Sequence, residues 1–401
     1  MYQGKTVVLG ITGSIAAYKM ATVASMLVKQ HCDVQVIMTR NATQFISPLV
    51  FEELTGNRCM VDTFDRNFQF NVAHVSLAQK ADLLLIAPAS ANVIGKLAHG
   101  IADDMLTTTA MACKCKAIVA PAMNTNMYEN PILQDNLEIL RRYGWEVVPP
   151  AVGRLACRAV GAGKMPEPEV LCGYVERELA HEKDMDGLRV LVTAGPTQEA
   201  LDPVRYITNH SSGKMGYALA RMAMRRGAQV TLVSGPTAIT PPPFVEVVPV
   251  TSAADMFREV SARAAQADIV CKAAAVADYT PKTVGTEKMK KKDGELTLEL
   301  ARTQDILAWL GANRQPGQYL CGFSMETQNM LENSRAKLEK KQVDMIAANN
   351  LRVEGAGFGT DTNVMTLITR QGARELPLLS KEATADAILD AILSERNHKT
   401  S

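Results

Sequence analysis

The chain has 401 residues, a length typical of two or three domains. Its 43 lysines and arginines nearly balance its 42 aspartates and glutamates, and this net charge of +1 lacks the excess expected of nonspecific nucleic-acid binding. Because the net charge is so small, any anion-binding site must be local. A hydrophobic content of 47% with 21% charged residues is ordinary for a globular protein and argues against long disordered regions.

Features of export and membrane insertion are not found in the sequence. Residues 1–5 lack the apolar region of a secretory signal, and no run of 18 apolar residues predicts a membrane span. The 8 cysteines are dispersed, which fits reduced thiols better than a disulfide framework. We expect a cytoplasmic protein without nucleic-acid or membrane partners.

Strands and helices alternate in both halves of the chain. The predicted N-terminal elements are a strand at 5–10, a loop at 11–14, a helix ending near 30, and strands at 34–38, 81–87 and 117–120. The C-terminal elements are strands at 188–195, 229–233, 268–275, 318–322 and 344–348, with a helix at 213–226. A polar stretch at 181–187 predicts a boundary near 182–188, so the expected domains are 1–187 and 188–401. The predicted fold class is α/β, with two Rossmann-like doubly wound parallel-sheet domains.

A glycine loop, Gly10-Ile11-Thr12-Gly13-Ser14, joins the first strand to the first helix. Free backbone N–H groups and the helix dipole favour a phosphate at such a position. The loop lacks the third glycine of the dinucleotide fingerprint, and Thr39-Arg40 follows the second strand in place of a carboxylate, which disfavours NAD. Three interpretations remain open, namely a flavin mononucleotide, NADP bound through Arg40, and a tight turn without a ligand.

Other N-terminal candidates have both a functional and a structural interpretation. Ser90 and Asn92 follow the third strand, where Ser90 is equally suited to cap a helix. Asn124 and Met127 follow the fourth strand, where an Asx turn is the simpler explanation. His74 taken alone is better explained as a buried structural histidine.

A thiol surrounded by cations and glycines lies at 153–164. Arg154, Arg158 and Lys164 favour a lowered pKa for the Cys157 thiol, and the glycines allow a loop to close over a site. The alternative is a mobile loop with a spare cysteine. Cys113-Lys114-Cys115 lacks a second ligand pair and is only a weak zinc candidate.

The C-terminal half contains three candidate anion-binding features. The segment 202–216 includes Ser211, Ser212 and Lys214 before a helix but lacks the P-loop order, so it predicts either an anion site or a helix cap. The small residues 273–275 before Asp278 leave room for a nucleotide. The lysines of 288–292, with Lys337 and Lys341, either stabilise phosphate charge or form solvated faces.

The motifs GITGSIAAYK, PASAN, GIADDMLTTT, PAMNTNM and GRLAC, together with His74, resemble the flavin-containing cysteine decarboxylases. DPVRYITNHSSGKMG, AAAVADY and the K-x-K-K pattern at 288–291 are similar to the CTP-using bacterial phosphopantothenate-cysteine ligases. Nearly the whole chain resembles the bacterial bifunctional family that fuses the two, with a flavodoxin-like N-terminal domain. The resemblance implies consecutive reactions of coenzyme A biosynthesis, ligation of cysteine to 4'-phosphopantothenate with CTP followed by decarboxylation of the product with FMN.

For the decarboxylase half, the resemblance implies His74 as acid/base residue, Asn124 and Met127 as substrate-binding residues, and Cys157 as proton donor. It implies that FMN oxidises the thiol end of the cysteine moiety and later returns the hydride. The implied flavin contacts are Gly13, Ser14, Thr39, Ser90 and Asn92. Arg158 and Tyr128 depart from the usual glycine and tryptophan.

For the ligase half, the resemblance implies attack of phosphopantothenate on the α-phosphate of CTP and displacement of CMP from the acyl-cytidylate by cysteine. Lys288 is implied in forming the acyl-cytidylate, Asn209 in its conversion, and Arg205 in substrate binding or a dimer interface. The implied nucleotide contacts are Ala273, Ala274, Ala275, Asp278, Lys288, Gln304, Asp305, Ile306, Leu307, Phe323, Lys337 and Lys341. Thr303-Gln304 replaces the usual Asn-Pro. Mg2+ is expected with the triphosphate, without a dedicated protein cage.

The family also implies a homo-oligomer, with decarboxylase trimers assembled to a dodecamer and ligase dimers. Two competing hypotheses remain, an NADP-linked flavin reductase and a flavin-binding regulatory subunit. The presence of His74, Asn124 and Cys157 together counts against the regulatory subunit.

Overall fold

A computed structural model describes residues 3–64, 73–154, 160–290, 297–326, 330–350 and 361–400. The chain divides into two compact units, Met1–His181 and Glu182–Ser401.

The sheet of the first unit is parallel and has the strand order β2-β1-β3-β4-β5. Its strands are β1 (Thr6–Ile11), β2 (Asp33–Met38), β3 (Leu83–Ala89), β4 (Lys116–Pro121) and β5 (Glu146–Val147). This order is that of flavodoxin-like folds, in which ligands bind beyond the carboxyl ends of the strands. The flavodoxin-like prediction is confirmed.

Helices cover both faces of this sheet. They are α1 (Lys19–Lys29), α2 (Pro48–Thr55), α3 (Ala73–Lys80), α4 (Ala91–Ala98), α5 (Met105–Ala112), α6 (Thr125–Tyr128), α7 (Pro131–Arg142) and α8 (Pro168–Leu179), with 3-10 turns at Ile15–Tyr18 and Ala42–Gln44. Successive strand residues point to opposite faces, so Leu9 and Leu85 belong to one core cluster while Val8 and Ile86 belong to the other. Burial on both faces explains the continuous apolar runs of β1 and β3.

An antiparallel hairpin, β6 (Ala151–Arg154) and β7 (Val160–Lys164), packs beside α6. Gly163 has a φ of +128°, and an added Cβ atom would lie 2.4 Å from the carbonyl oxygen of Met123. The backbone N–H of Met123 donates to the carbonyl of Gly163 at 3.0 Å. Only glycine permits this close approach of β7 to the segment that precedes α6.

The second unit contains a mixed sheet with the order β12-β11-β8-β13-β16-β17-β19-β20. Its strands are β8 (Arg189–Ala194), β11 (Gln229–Ser234), β12 (Glu246–Pro249), β13 (Ile269–Lys272), β16 (Tyr319–Glu326), β17 (Met345–Asn350), β19 (Met365–Thr369) and β20 (Gly372–Glu375). The strands from β12 to β17 are parallel, as predicted, whereas β19 and β20 extend the sheet antiparallel. The α/β class is confirmed, but a purely parallel second sheet is wrong.

Smaller ribbons and flanking helices complete this unit. The ribbons pair β9 (Gln198–Ala200) with β10 (Tyr206–Thr208), β14 (Tyr279–Pro281) with β15 (Leu300–Arg302), and β18 (Thr362–Asn363) with β21 (Leu379–Ser380). The helices are α9 (Lys214–Arg225), α10 (Ala253–Ala264), α11 (Ile306–Ala312), α12 (Met330–Lys341) and α13 (Lys381–Thr400). No helix in the described part of the chain is both long and apolar enough to cross a membrane.

Two candidate active sites

The first unit has a cavity of about 1120 Å³ beside the carboxyl ends of its strands. Five predicted site residues line it, namely Gly13, Thr39, Ser90, Asn92 and Met127. Its lining combines hydroxyl and amide groups with the apolar side chains of Val93 and Met105. A cavity of this size and mixed polarity is typical of a small-molecule site.

The buried hydroxyl of Thr12 joins the loop that follows β1 to the end of β3. It donates to the carbonyl of Pro88 at 2.6 Å and accepts from the backbone N–H of Ser90 at 2.9 Å. Ser14 accepts from the N–H of Ala16 at 3.3 Å, and Ser90 accepts from that of Val93 at 3.5 Å. Both serines therefore begin helical segments, as in their structural interpretation.

Carboxylates balance the cations of this cavity. The Arg40 guanidinium donates two hydrogen bonds to Asp62, at 2.9 and 2.7 Å. Lys96 donates to Asp103 at 2.7 Å, and this hydrogen bond raises the pKa of Lys96 above its ordinary value. The Arg40 charge that motivated the NADP alternative is thus already engaged by Asp62.

The structure describes two of the three predicted catalytic residues of this unit, Asn124 and His74. Asn124 caps α6 by accepting from the N–H of Asn126 at 2.8 Å, and β7 lies against the same segment. His74 is half-buried on α3 and is not among the described residues that line the cavity. Cys157 and Arg158 lie outside the described residues, between β6 and β7.

The described cysteines are free thiols. Burial raises the pKa of Cys32 to about 11 and that of Cys59 and Cys172 to about 12. These three thiols remain protonated at neutral pH and are poor nucleophiles. Cys172 on α8 therefore offers a control for any experiment on Cys157.

The second unit has a cavity of about 520 Å³ that brings together three predicted segments. Of the predicted site residues, Asn209, Ala273, Ala274, Ala275, Asp278, Phe323 and Lys337 line it. The Asn209 amide donates to the carbonyl of Ala275 at 3.0 Å and so joins two of the segments. Gly213, with a φ of +80°, caps α9 where an added Cβ would lie 3.3 Å from the backbone of Gly195.

Four lysines line the second cavity, and sequence reasoning identified only two of them, Lys214 and Lys337. Lys214 pairs with Asp361 at 2.6 Å. Lys381 is buried and donates to Asn363 at 2.9 Å, and burial lowers its pKa. Lys272 at the end of β13 is half-buried, and burial lowers its pKa to about 8. The sequence signal that could have identified Lys272 is a lysine at the end of the otherwise apolar strand β13.

The predicted nucleotide segment 304–307 starts α11. Asp305 caps this helix, accepting from the N–H of Ala308 at 2.9 Å, and forms an ion pair with Lys341. Hydrogen bonding to Lys341 and to the N–H of Ala308 lowers the pKa of Asp305, although burial opposes the shift. The side chains of Ile306 and Leu307 are buried in the core, so a ligand can meet these two residues only through their backbone.

A buried carboxylate holds the segment that carries Lys288. Asp202 accepts from the Arg205 guanidinium at 2.6 and 3.0 Å and from the backbone N–H of Met289 at 3.0 Å. Arg205 also donates to the carbonyl of Met289 at 2.7 Å. These hydrogen bonds hold the pKa of Asp202 well below its ordinary value. Lys288 itself is exposed, and Lys291 and Lys292 lie outside the described residues.

Within the described ranges, no group of three or more His, Cys, Asp or Glu side chains is arranged to hold a metal ion. The weak zinc candidate at Cys113 and Cys115 consists of free thiols.

Family comparisons match both units. Residues 1–180 match the Flavoprotein family, and residues 185–395 match the DNA/pantothenate metabolism flavoprotein C-terminal domain. A relative named coenzyme A biosynthesis bifunctional protein CoaBC from Bacillus subtilis (strain 168) is 47% identical over 98% of this chain and 97% of its own length. The chain belongs to the CoaBC family. CoaBC proteins from Vibrio vulnificus (strain YJ016) and Escherichia coli (strain K12) are 43% and 40% identical over 98% and 99% of this chain, and the alignments cover 99% and 98% of their own lengths.

Membership confirms the resemblance predicted from the motifs. The chain is a bifunctional enzyme of coenzyme A biosynthesis, and its N-terminal half is a flavoprotein. Neither the NADP-linked reductase nor the regulatory subunit is favoured, since the match to CoaBC proteins extends through both halves.

Proposed function

We propose that the second unit joins cysteine to 4'-phosphopantothenate with CTP and that the first unit decarboxylates the product with FMN. The observation that carries this proposal is that each unit has a cavity lined by predicted site residues of one of the two reactions. The functional domains are then 1–187 and 188–401. Membership in the CoaBC family supports this division.

In the proposed ligase site, charge and hydrogen bonding stabilise the cytidylyl group as it is transferred from pyrophosphate to the carboxylate of phosphopantothenate. Lys337 of the cavity and Lys288 on the tethered segment supply positive charge, which lowers the free energy of a developing phosphate charge. Asn209, whose amide donates to the carbonyl of Ala275, holds the acyl-cytidylate while the amine of cysteine attacks. The other implied contacts, including Gln304, Asp305 and Lys341, bind the nucleotide. CMP is the leaving group of the second step.

FMN fits the residues of the first cavity. Hydroxyls of Thr39 and Ser90 and the amide of Asn92 provide polar contacts, while Gly13 and Ser14 lie at the loop suited to the phosphate. When bound, FMN supplies the two-electron oxidation that makes the loss of CO2 possible. His74 acts as acid/base residue, Asn124 holds the substrate carboxylate, Met127 contacts the substrate, and Cys157 donates the final proton.

Two finer features belong to the same proposal. Mg2+ enters with CTP, because such ions are held largely by substrate phosphates and water. The chain assembles as a homo-oligomer of decarboxylase trimers, joined into a dodecamer, and ligase dimers. Arg205 then contacts substrate at or near the dimer interface.

The direct test supplies purified protein with phosphopantothenate, cysteine, CTP and Mg2+. We expect CMP, CO2 and phosphopantetheine in equal amounts. Replacing CTP by NADPH should give no CO2. Bleaching of the bound flavin by NADPH, with neither CMP nor CO2 from the complete mixture, would overturn the proposal.

A further inference from the structure

Lys272 ends β13 at the floor of the second cavity, and the predicted nucleotide contacts do not include it. Its ammonium donates to the carbonyl of Ala274 at 3.1 Å. Lys337 of α12 lines the same cavity and donates to the carbonyl of Phe323 at 3.4 Å. Across the described part of the chain, neither of these two lysines forms an ion pair within 4.0 Å, so neutral carbonyls are their hydrogen-bond partners.

Both lysines and carboxylates act on the charge of Lys272. Lys337 and Lys341 of α12 repel its charge, whereas Asp278 and Asp305 attract it. Asp305 forms an ion pair with Lys341, so these two charges largely compensate each other. Asp278 is exposed, where water screens its charge. Positive charge therefore exceeds its compensation at the floor of the cavity.

Bringing ammonium groups together away from water is unfavourable unless an anion compensates them. We propose that Lys272 is a direct ligand of the phosphate groups of the nucleotide in the ligase reaction. This inference rests on the proposed CTP site and adds a residue to it. A triphosphate supplies several negative charges, and an ammonium is a strong point-charge donor to phosphate oxygens.

Nucleotide binding through Lys272 also changes the protonation of this residue. Without nucleotide, burial and the neighbouring lysines lower the pKa of Lys272 to about 8. A phosphate ligand favours the charged ammonium and raises this pKa. At pH 8.5 the free protein therefore holds Lys272 mostly deprotonated, and CTP binding takes up as much as roughly three quarters of a proton per site.

The test is calorimetric titration of the full chain with CTP and Mg2+ at pH 8.5, in two buffers that differ in ionisation enthalpy. The wild-type protein should show proton uptake. Lys272→Met should bind CTP roughly 10- to 100-fold more weakly and with clearly less uptake, the remainder coming from Lys381, whose pKa burial also lowers. Lys272→Arg, which keeps its charge at this pH, should bind more tightly than Lys272→Met and show the same reduced uptake. Lys340→Met, at an exposed position of α12, should behave as wild type.

The outcomes separate this inference from the function on which it rests. No CTP binding by the wild-type protein would overturn the proposed ligase site itself. CTP binding without proton uptake, or with the same uptake and affinity in Lys272→Met, would overturn the role of Lys272 alone. If Lys272→Met loses its fold by circular dichroism, the comparison of Lys272→Arg with the wild-type protein decides the question: reduced uptake supports the role of Lys272, and unchanged uptake overturns it.

Discussion

The two cavities occupy equivalent edges of two α/β sheets but differ in electrostatics. In the first, Arg40 and Lys96 are paired with carboxylates, and hydroxyls, amides and apolar side chains form much of the remaining lining. The second cavity has about half the volume of the first and is lined by four lysines. Two of these, Lys272 and Lys337, form no ion pair with the residues that the structure describes. The same architecture thus supports a cavity of balanced charge and a cavity with a local cationic excess. The net charge of the whole chain, +1, does not reveal this difference.

Replacing Cys157 should separate the two reactions most strongly. We expect Cys157→Ser to lower phosphopantetheine formation by at least about a hundredfold, because a poorer acid replaces the proton donor. CMP release should be unchanged. Phosphopantetheine and CMP are both quantified by chromatography.

Cys172→Ser is the matched control, since Cys172 is a half-buried thiol and burial raises its pKa to about 12. It should retain both activities. Equal loss of phosphopantetheine formation in the two variants would refute a special role for Cys157.

The amide of Asn209 offers a second separation, within the ligase reaction. Asn209→Asp removes the donor to the Ala275 carbonyl and adds a negative charge beside the nucleotide. We expect amide formation to fall roughly tenfold to a hundredfold, with a smaller effect on pyrophosphate release. Rapid-quench analysis would then detect accumulated acyl-cytidylate, and equal losses in both steps would contradict this role.

Salt should affect the two cavities unequally. Raising NaCl from about 50 to about 500 mM screens the lysines of the second cavity, so CTP binding should weaken by roughly tenfold. Flavin binding should change by less than about threefold, because the cations of the first cavity are already paired. Fluorescence titration measures the affinity for FMN at each salt concentration, and calorimetry measures the affinity for CTP. Equal salt dependence would show that the contrast in charge has no functional effect.

The smallest expected effect concerns stability and pH. Folding lowers the pKa of Lys272, so between pH 8 and 10 the unfolded chain binds more protons at this residue than the folded chain. The free energy of unfolding of the unliganded wild-type protein should therefore rise by about 1 kcal/mol relative to Lys272→Met between pH 8 and pH 9. Urea unfolding at both pH values measures the difference, and parallel pH dependence of the two proteins would contradict the assignment.

The sequence predicted most of the parallel strands because their apolar runs are long and are followed by loops of small residues. The antiparallel pair β19 and β20 was missed, although only two residues separate these strands, a connection too short for a parallel crossover. The lining residues Asn209 and Asp278 were predictable from motifs, and Phe323 from the family resemblance. Lys272 was missed, since its burial and its neighbours on α12 arise only when distant segments pack together.

The tether between Asp202 and Met289 shows the same limit. The lysine-rich run 288–292 is equally typical of a solvated face. Nothing in that run predicts that the backbone of Met289 binds Asp202, which is 87 residues away in sequence. The structure brings this buried carboxylate to the segment and so fixes the backbone beside Lys288.

The central claim is that each cavity performs one reaction, and Lys288→Gln tests it most directly. The variant is supplied with phosphopantothenoylcysteine in one assay and with phosphopantothenate, cysteine, CTP and Mg2+ in another. We predict CO2 release at the wild-type rate in the first assay and a loss of CMP formation of at least about a hundredfold in the second. Loss of both activities, or retention of CMP formation, would contradict the division of labour between the two units.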